Sequence, residues 1–267
     1  MTRQPSGDRW LFCKRSEEKM HNIYSESCPL WNREPSRYSE YPACTQTVLS
    51  DKIRENTKEK GKRKHMSFVG LTFFKDHIIG YGDTKSSRFV DGTFQEDKKR
   101  QRVLKVFKTK DYIFCTYDIN SFKIVGEASK EIFIEDWLKE NMNEVAYPED
   151  LFKKFHDYLM KHENLLALNE YVRFFAGYIE MGQRVYVKAV INKMELSIER
   201  QYVVEPFPAY GGTNEYVEYF NKNPMLLMSN EQGIKENIKQ AVNKFDEELP
   251  YNPVGGDIIV KTWSPQK

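Results

Sequence analysis

Three side chains between Met66 and Phe107 carry groups suited to acyl-transfer chemistry: the hydroxyl of Ser67, the carboxylate of Asp83 and the ammonium of Lys105. A hydroxyl can attack a carbonyl, an ammonium can supply positive charge, and a carboxylate can pair with that ammonium. Each has an ordinary reading when taken alone. Serine is among the commonest surface residues, an Asp at a strand end is usually a turn residue, and a Lys at a strand start is usually solvated. Their order along a set of short strands is what singles them out. Phe68, Val69, Leu71, Phe73 and Phe74 predict a first strand, and Ile78, Ile79 and Tyr81 a second. The polar break Lys75-Asp76-His77 separates the two, the pattern of a hairpin. The second strand ends at Gly82-Asp83-Thr84-Lys85-Ser86, a cluster suited to a turn. A third strand is predicted over Val103–Phe107 and a fourth over Tyr112–Tyr117.

This order resembles the opening of proteasome β-type subunits of the N-terminal-nucleophile (Ntn) hydrolase superfamily, which includes the bacterial proteasome-like heat-shock peptidase. In that family the nucleophile opens the first strand, an Asp ends the second and a Lys opens the third. Asp83 lies sixteen positions after Ser67, as the family pattern requires. Lys105 of Lys105-Val106-Phe107 lies a few residues further on than usual, and the surplus fits an expanded charged loop between Asp91 and Arg102. Tyr210-Gly211-Gly212-Thr213 resembles the family's Gly-rich turn into a third helix, with Thr213 offering a hydroxyl. Pro253-Val254-Gly255-Gly256-Asp257 resembles the lead-in to the last strand. The resemblance covers roughly residues 66–263.

The resemblance implies a four-layer αββα sandwich, two sheets between two helical layers; the element order alone supports only α+β. It implies Ser67 as an N-terminal nucleophile whose own α-amine is the base, Lys105 as the positive charge beside it and Asp83 as the partner of Lys105. A backbone N–H after the fourth strand would hold the oxyanion. The implied substrate is a peptide or another amide, the implied assembly a homo-oligomeric ring, and an ATPase is the partner that could feed it. Three departures favour an alternative, a non-catalytic assembly or scaffold subunit of the same fold. Tyr117-Asp118-Ile119-Asn120 stands where family peptidases carry small residues. Tyr251 and Val254 stand where many carry Asp and Ser. The nucleophile is Ser rather than Thr. A different amidohydrolase chemistry is a third reading, because fold does not fix substrate.

Composition bounds the rest. Residues 1–65 carry a net charge of +5 and the remainder −3, together the +2 of the chain. The slightly acidic remainder predicts no nucleic-acid footprint. No apolar run is long enough for a membrane helix, and the N-terminus has no secretory apolar segment. Three of the four cysteines, Cys13, Cys28 and Cys44, lie in the first 65 residues, so no disulfide framework is expected in the domain. No Cys/His spacing suits zinc, His65 and His77 read as surface residues, and no cofactor is expected. A reducing, cytoplasmic setting follows as the default.

Residues 1–65 are sparse in aliphatic residues and end in the charge run Lys58–His65, which predicts a mostly disordered leader. Two sharper readings are a propeptide removed before Ser67 and an over-extended reading frame whose true start is Met66. The second is favoured. A small residue after Met66 permits removal of the initiator Met and exposes Ser67, whereas His65-Met66 lacks the Gly that autocleavage in the family uses. Residues 66–267 form the predicted domain.

Within it, Ser129 is predicted to cap a helix running to Asn143, and Pro148 to open a second with Leu151, Phe152, Phe155 and Leu159 on one face. Met181-Gly182-Gln183 predicts a hairpin turn between two strands, and Leu196 and Ile198 alternate with polar residues as a half-buried strand. A short helix holds Tyr216, Val217 and Phe220. Ile234, Ile238, Ala241, Val242, Phe245 and Leu249 form the clearest helical face in the chain.

Overall fold

The structure, a computed structural model, describes residues 67–90, 93–97, 100–123, 131–162, 170–204 and 206–265. The expectations for the leader and for the Ser129 cap lie outside the described residues. The chain opens with β1 (Phe68–Phe73) and β2 (Ile78–Asp83), antiparallel across the Lys75-Asp76-His77 break. The expanded loop is not wholly irregular. Its first part closes a short hairpin of β3 (Ser87–Val90) and β4 (Thr93–Glu96). The third strand, β5 (Val106–Lys108), starts later than its apolar run, and β6 (Ile113–Asp118) pairs with it.

The first helix also starts later than predicted. Glu131–Phe133 forms β8 against β7 (Ser121–Lys123), so α1 spans only Ile134–Asn141. Ile132 and Phe133 extend the apolar stripe of the helix in sequence, but their backbone bonds go to a strand. α2 covers Pro148–Lys161, with Pro148 at its first turn as predicted. β9 (Val172–Glu180) and β10 (Gln183–Ile191) form a hairpin through Met181 and Gly182. Both turn residues have positive φ, 49° and 76°, the type I′ geometry that matches strand twist. There follow β11 (Leu196–Val203), β12 (Phe207–Gly212), α3 (Asn214–Lys222), a helical turn over Pro224–Leu227, α4 (Glu231–Glu248) and β13 (Ile258–Trp263).

Two antiparallel sheets result, of order β12-β1-β2-β13 and β11-β10-β9-β6-β5. The period of two along β1 divides its side chains between two cores. Val69, Leu71 and Phe73 join a cluster with Ile113, Phe175 and Val187 of the five-stranded sheet, and that cluster continues to Trp137 of α1 and Phe152 and Phe155 of α2. Phe68 joins a second cluster with Tyr81, Tyr216 and Phe220, closed by Ile234, Ile238, Ala241 and Phe245 of α4. Aromatic rings carry much of the first core: Phe152 lies 4.7 Å from Phe174, and Trp137 4.7 Å from Phe155. No helix among the described residues is long and apolar enough to cross a membrane.

α4 begins at an Asn cap: Asn230 Oδ1 accepts the backbone N–H of Gly233 at 2.9 Å. Asn230→Ala is expected to lower stability by about 1 kcal/mol. The check is a shift of the urea midpoint at unchanged slope. An unchanged midpoint would show that water replaces the cap at no cost.

Candidate active site

The site forms where β1 begins and β2 ends. The register pairs Phe68 with Gly212, and this pairing seats Ser67 just outside the ladder. The carbonyl oxygen of Ser67 accepts the N–H of Thr213 at 2.7 Å and the Thr213 hydroxyl at 3.3 Å. The same peptide is held at its other end, where Phe68 N–H donates to Asp83 Oδ1 at 2.9 Å. The single Ser67–Phe68 peptide is therefore fastened at both its carbonyl oxygen and its N–H, and both fastenings come from neighbouring strand ends.

Lys105 enters from the other sheet. Its carbonyl oxygen accepts Thr116 N–H at 2.9 Å, which aligns it ahead of β5 beside β6. The two sheets approach closely here because β2 presents glycines. A Cβ on Gly82 would lie 3.0 Å from both Val106 and Val69, and one on Gly80 2.8 Å from Ile113. Across this gap the Lys105 ammonium reaches Asp83 Oδ2 at 2.8 Å and the carbonyl oxygen of Lys85 at 2.7 Å. Lys85 N–H also donates to Asp83 Oδ2, at 3.1 Å. The two side chains are 1% and 0% exposed.

Burial pushes the Asp83 carboxyl above its ordinary range, opposed by the Lys105 charge and by the N–H of Phe68. Burial likewise pushes the Lys105 ammonium down, opposed by Asp83. Each group is thus the main reason the other can stay charged in a water-free place.

The structure brings Asp83 and Lys105 into direct contact and joins Ser67 to them through one peptide N–H. It does not place Lys105 in hydrogen-bond contact with Ser67 Oγ. That hydroxyl is buried with no hydrogen-bond partner among the described residues. Two of the three ammonium N–H groups of Lys105 are used, by Asp83 and Lys85.

Further neighbours complete the site; Ser87, Asn252 and Arg173 are not singled out in the sequence, whereas Lys85, Asp118, Asn120 and Tyr251 stand in stretches that it marks for other reasons. Lys85 donates from Nζ to the carbonyl oxygen of Asn252 at 2.7 Å and lies 4.6 Å over the Tyr251 ring. Tyr251 in turn bonds the Ser87 hydroxyl at 2.8 Å. Asn252 accepts Tyr216 O–H at 3.1 Å and Val254 N–H at 3.1 Å. At the end of β6, Asp118 adopts φ +84°, a conformation that glycine takes most easily, and forms an ion pair with Arg173. Asn120 donates to the Ser86 hydroxyl at 3.1 Å. The polar run Gly82–Ser86 marks the place in sequence; the contacts that join it to its partners cross long stretches of chain.

No protein-family model matches the chain, and no curated protein matches it. Among solved structures it is similar to Thiobacillus denitrificans BPH in complex with epoxomicin, with 9% identity and a TM-score of 0.38 over 75% of this chain and 100% of that chain. A likeness of that size assigns no family.

Proposed function

We propose that the chain has the αββα layering of Ntn hydrolases and is a proteasome-like serine peptidase or amidase, with Ser67 as nucleophile once its α-amine is free. The observation that carries this reading is the buried Asp83–Lys105 pair fastened to the peptide after a buried Ser67 hydroxyl that has no partner among the described residues. Well-packed apolar residues would stabilise such a position as well as an ion pair does, so a buried pair at this point suggests a need for charge.

In the proposed reaction Ser67 Oγ attacks a substrate carbonyl and gives its proton to the α-amine, which has an ordinary pKa near ~8. The tetrahedral intermediate collapses to an ester, and the departing amine takes that proton. Water, deprotonated by the same amine, then releases the acid and restores the hydroxyl. Lys105 lowers the cost of negative charge at Oγ during both attacks. Asp83 keeps Lys105 charged and holds Phe68, and so Ser67, in register. A ring of like subunits and an ATPase that feeds it belong to the same proposal, in a cytoplasmic setting.

The test is labelling of a chain shown by N-terminal sequencing to begin at Ser67, using an electrophile that bridges the hydroxyl and the α-amine. Stoichiometric labelling is expected, with complete loss in Ser67→Ala. Labelling that survives Ser67→Ala, or none at all with the amine free, would end the reading. A specific observation favours the second reading, a non-catalytic assembly subunit: the Asp118–Arg173 ion pair stands where small residues would let substrate approach, and Ser67 is only 1% exposed. That reading predicts an intact assembly and no labelling.

A further inference from the structure

Arg100 lies in the segment that leads from β4 to Lys105, and its guanidinium is held by three hydrogen bonds and one aromatic ring. Nη1 donates to Asp136 Oδ2 at 2.9 Å, while Nη2 donates to Asp136 Oδ1 at 2.7 Å and Glu135 Oε2 at 2.9 Å. The guanidinium lies 4.4 Å over the Phe133 ring. A planar fork that is both bidentate and stacked is a geometry that only Arg provides. Glu135 and Asp136 are the second and third residues of α1, so the clamp ties this segment to the start of that helix. The Arg100 hydrogen bond holds the Asp136 carboxyl below the usual carboxylate range.

Beyond Arg100 the backbone is laced to the end of β2. Ser86 N–H donates to the Gln101 carbonyl at 3.3 Å, Val103 N–H donates to the Thr84 carbonyl at 2.9 Å, and Lys85 bridges Arg102 between them. Arg102 adds an ion pair to Asp257 at 3.1 Å. This ladder carries at one side the Lys85 carbonyl that Lys105 binds, and at its end Lys105 itself.

We propose that Arg100 is a positioning residue: by anchoring residues 100–103 to α1 it holds Lys105 and the Lys85 carbonyl in place around Asp83, so that the seating of α1 sets the environment of the buried pair. The inference rests on reading that pair as part of the site, but its test needs no turnover. The groups that face the Lys105 ammonium are Asp83 and Lys85. Burial is the chief influence on Lys105, so loosening the ladder admits water and relaxes the ammonium upwards.

The experiment follows Lys105 by side-chain NMR titration in the full chain, in Arg100→Ala and in the milder Asp136→Asn, with Arg200→Ala as a control on the far edge strand. Hydrogen exchange at the Ser86 and Val103 amides is read alongside. The expected result is a Lys105 midpoint raised in Arg100→Ala, with a smaller rise in Asp136→Asn. Both amides lose protection, and the control leaves all three readings unchanged. A lowered melting temperature with an unmoved midpoint would overturn the proposal, because Arg100 would then only stabilise. An unmoved midpoint in Asp136→Asn together with loss of fold in Arg100→Ala would overturn it too. Absence of Ser67 labelling beside a shifted midpoint would sink the catalytic reading and leave the coupling standing.

Discussion

Lys105→Met is expected to destabilise the protein by about 3–5 kcal/mol, the range for removing one partner of a buried ion pair. Met keeps most of the Lys stem and its volume, so the loss is electrostatic rather than a cavity. It leaves the fully buried Asp83 carboxylate to backbone N–H donors, those of Phe68, Lys85 and Gly255. Asp83 must then be buried charged or take up a proton. With Lys105 absent, its folded pKa rises further above the unfolded value near ~3.9. The sign follows from proton counting. Between those two values the folded state binds a proton that the unfolded state lacks, so the variant gains stability as pH falls from neutral towards the unfolded pKa, and loses it as pH rises. The double variant Asp83→Asn/Lys105→Met removes both charges and is expected to recover most of the loss. Urea unfolding at neutral and mildly acidic pH measures all three quantities. A loss below about 1 kcal/mol in Lys105→Met, the size found for solvated pairs, would show that water reaches this one.

The same pair shows where sequence reading reaches and where it stops. β1 and β2 were legible because Phe, Val, Leu and Ile run up to a polar break, and α4 because its apolar residues keep the helical period. The start of α1 was not legible. Ile132 and Phe133 satisfy a helical stripe equally well, and the ladder to Ser121–Lys123 decides against it. The β3–β4 hairpin was missed although Asp91-Gly92 is a turn dipeptide, because the charges around it read as a solvated loop. In the site, the strand-end positions of Asp83 and Lys105 could be read by resemblance, but their contact is a product of the two sheets meeting. Thr213 reaches Ser67 across 146 residues, Arg173 reaches Asp118 across 55, and Arg100 reaches Asp136 across 36. No local period or motif encodes such pairs. They follow from strand order, which the sequence implies only once the whole fold is in place.

Gly212→Ala should be the most damaging small substitution at the proposed nucleophile, and it tests whether strand pairing seats Ser67. Gly212 has φ +126°, a region closed to other residues by their Cβ atoms. The added Cβ would lie 1.8 Å from the Ser67 carbonyl oxygen, 2.7 Å from its carbonyl carbon and 3.1 Å from Phe68 Cα. All three are backbone atoms, so no rotamer change relieves the clash. Relief requires the Ser67 peptide to leave the Thr213 N–H, which holds it at 2.7 Å. Backbone strain costs about 1–3 kcal/mol, and the lost hydrogen bond adds about 1 kcal/mol. The expected loss is therefore at least about 2–4 kcal/mol, with Ser67 labelling falling by orders of magnitude in whatever protein still folds. Thr213→Ala separates backbone from hydroxyl, because it keeps the N–H bond and deletes the hydroxyl with its longer contact at 3.3 Å. It is expected to cost about 1 kcal/mol or less and to leave labelling near that of the parent. Urea unfolding and labelling rate, measured on both variants with a confirmed Ser67 terminus, decide the matter. If Gly212→Ala matched the parent in both, the start of β1 would have to be free to shift, and Ser67 would owe its position to Asp83 and Phe68 alone.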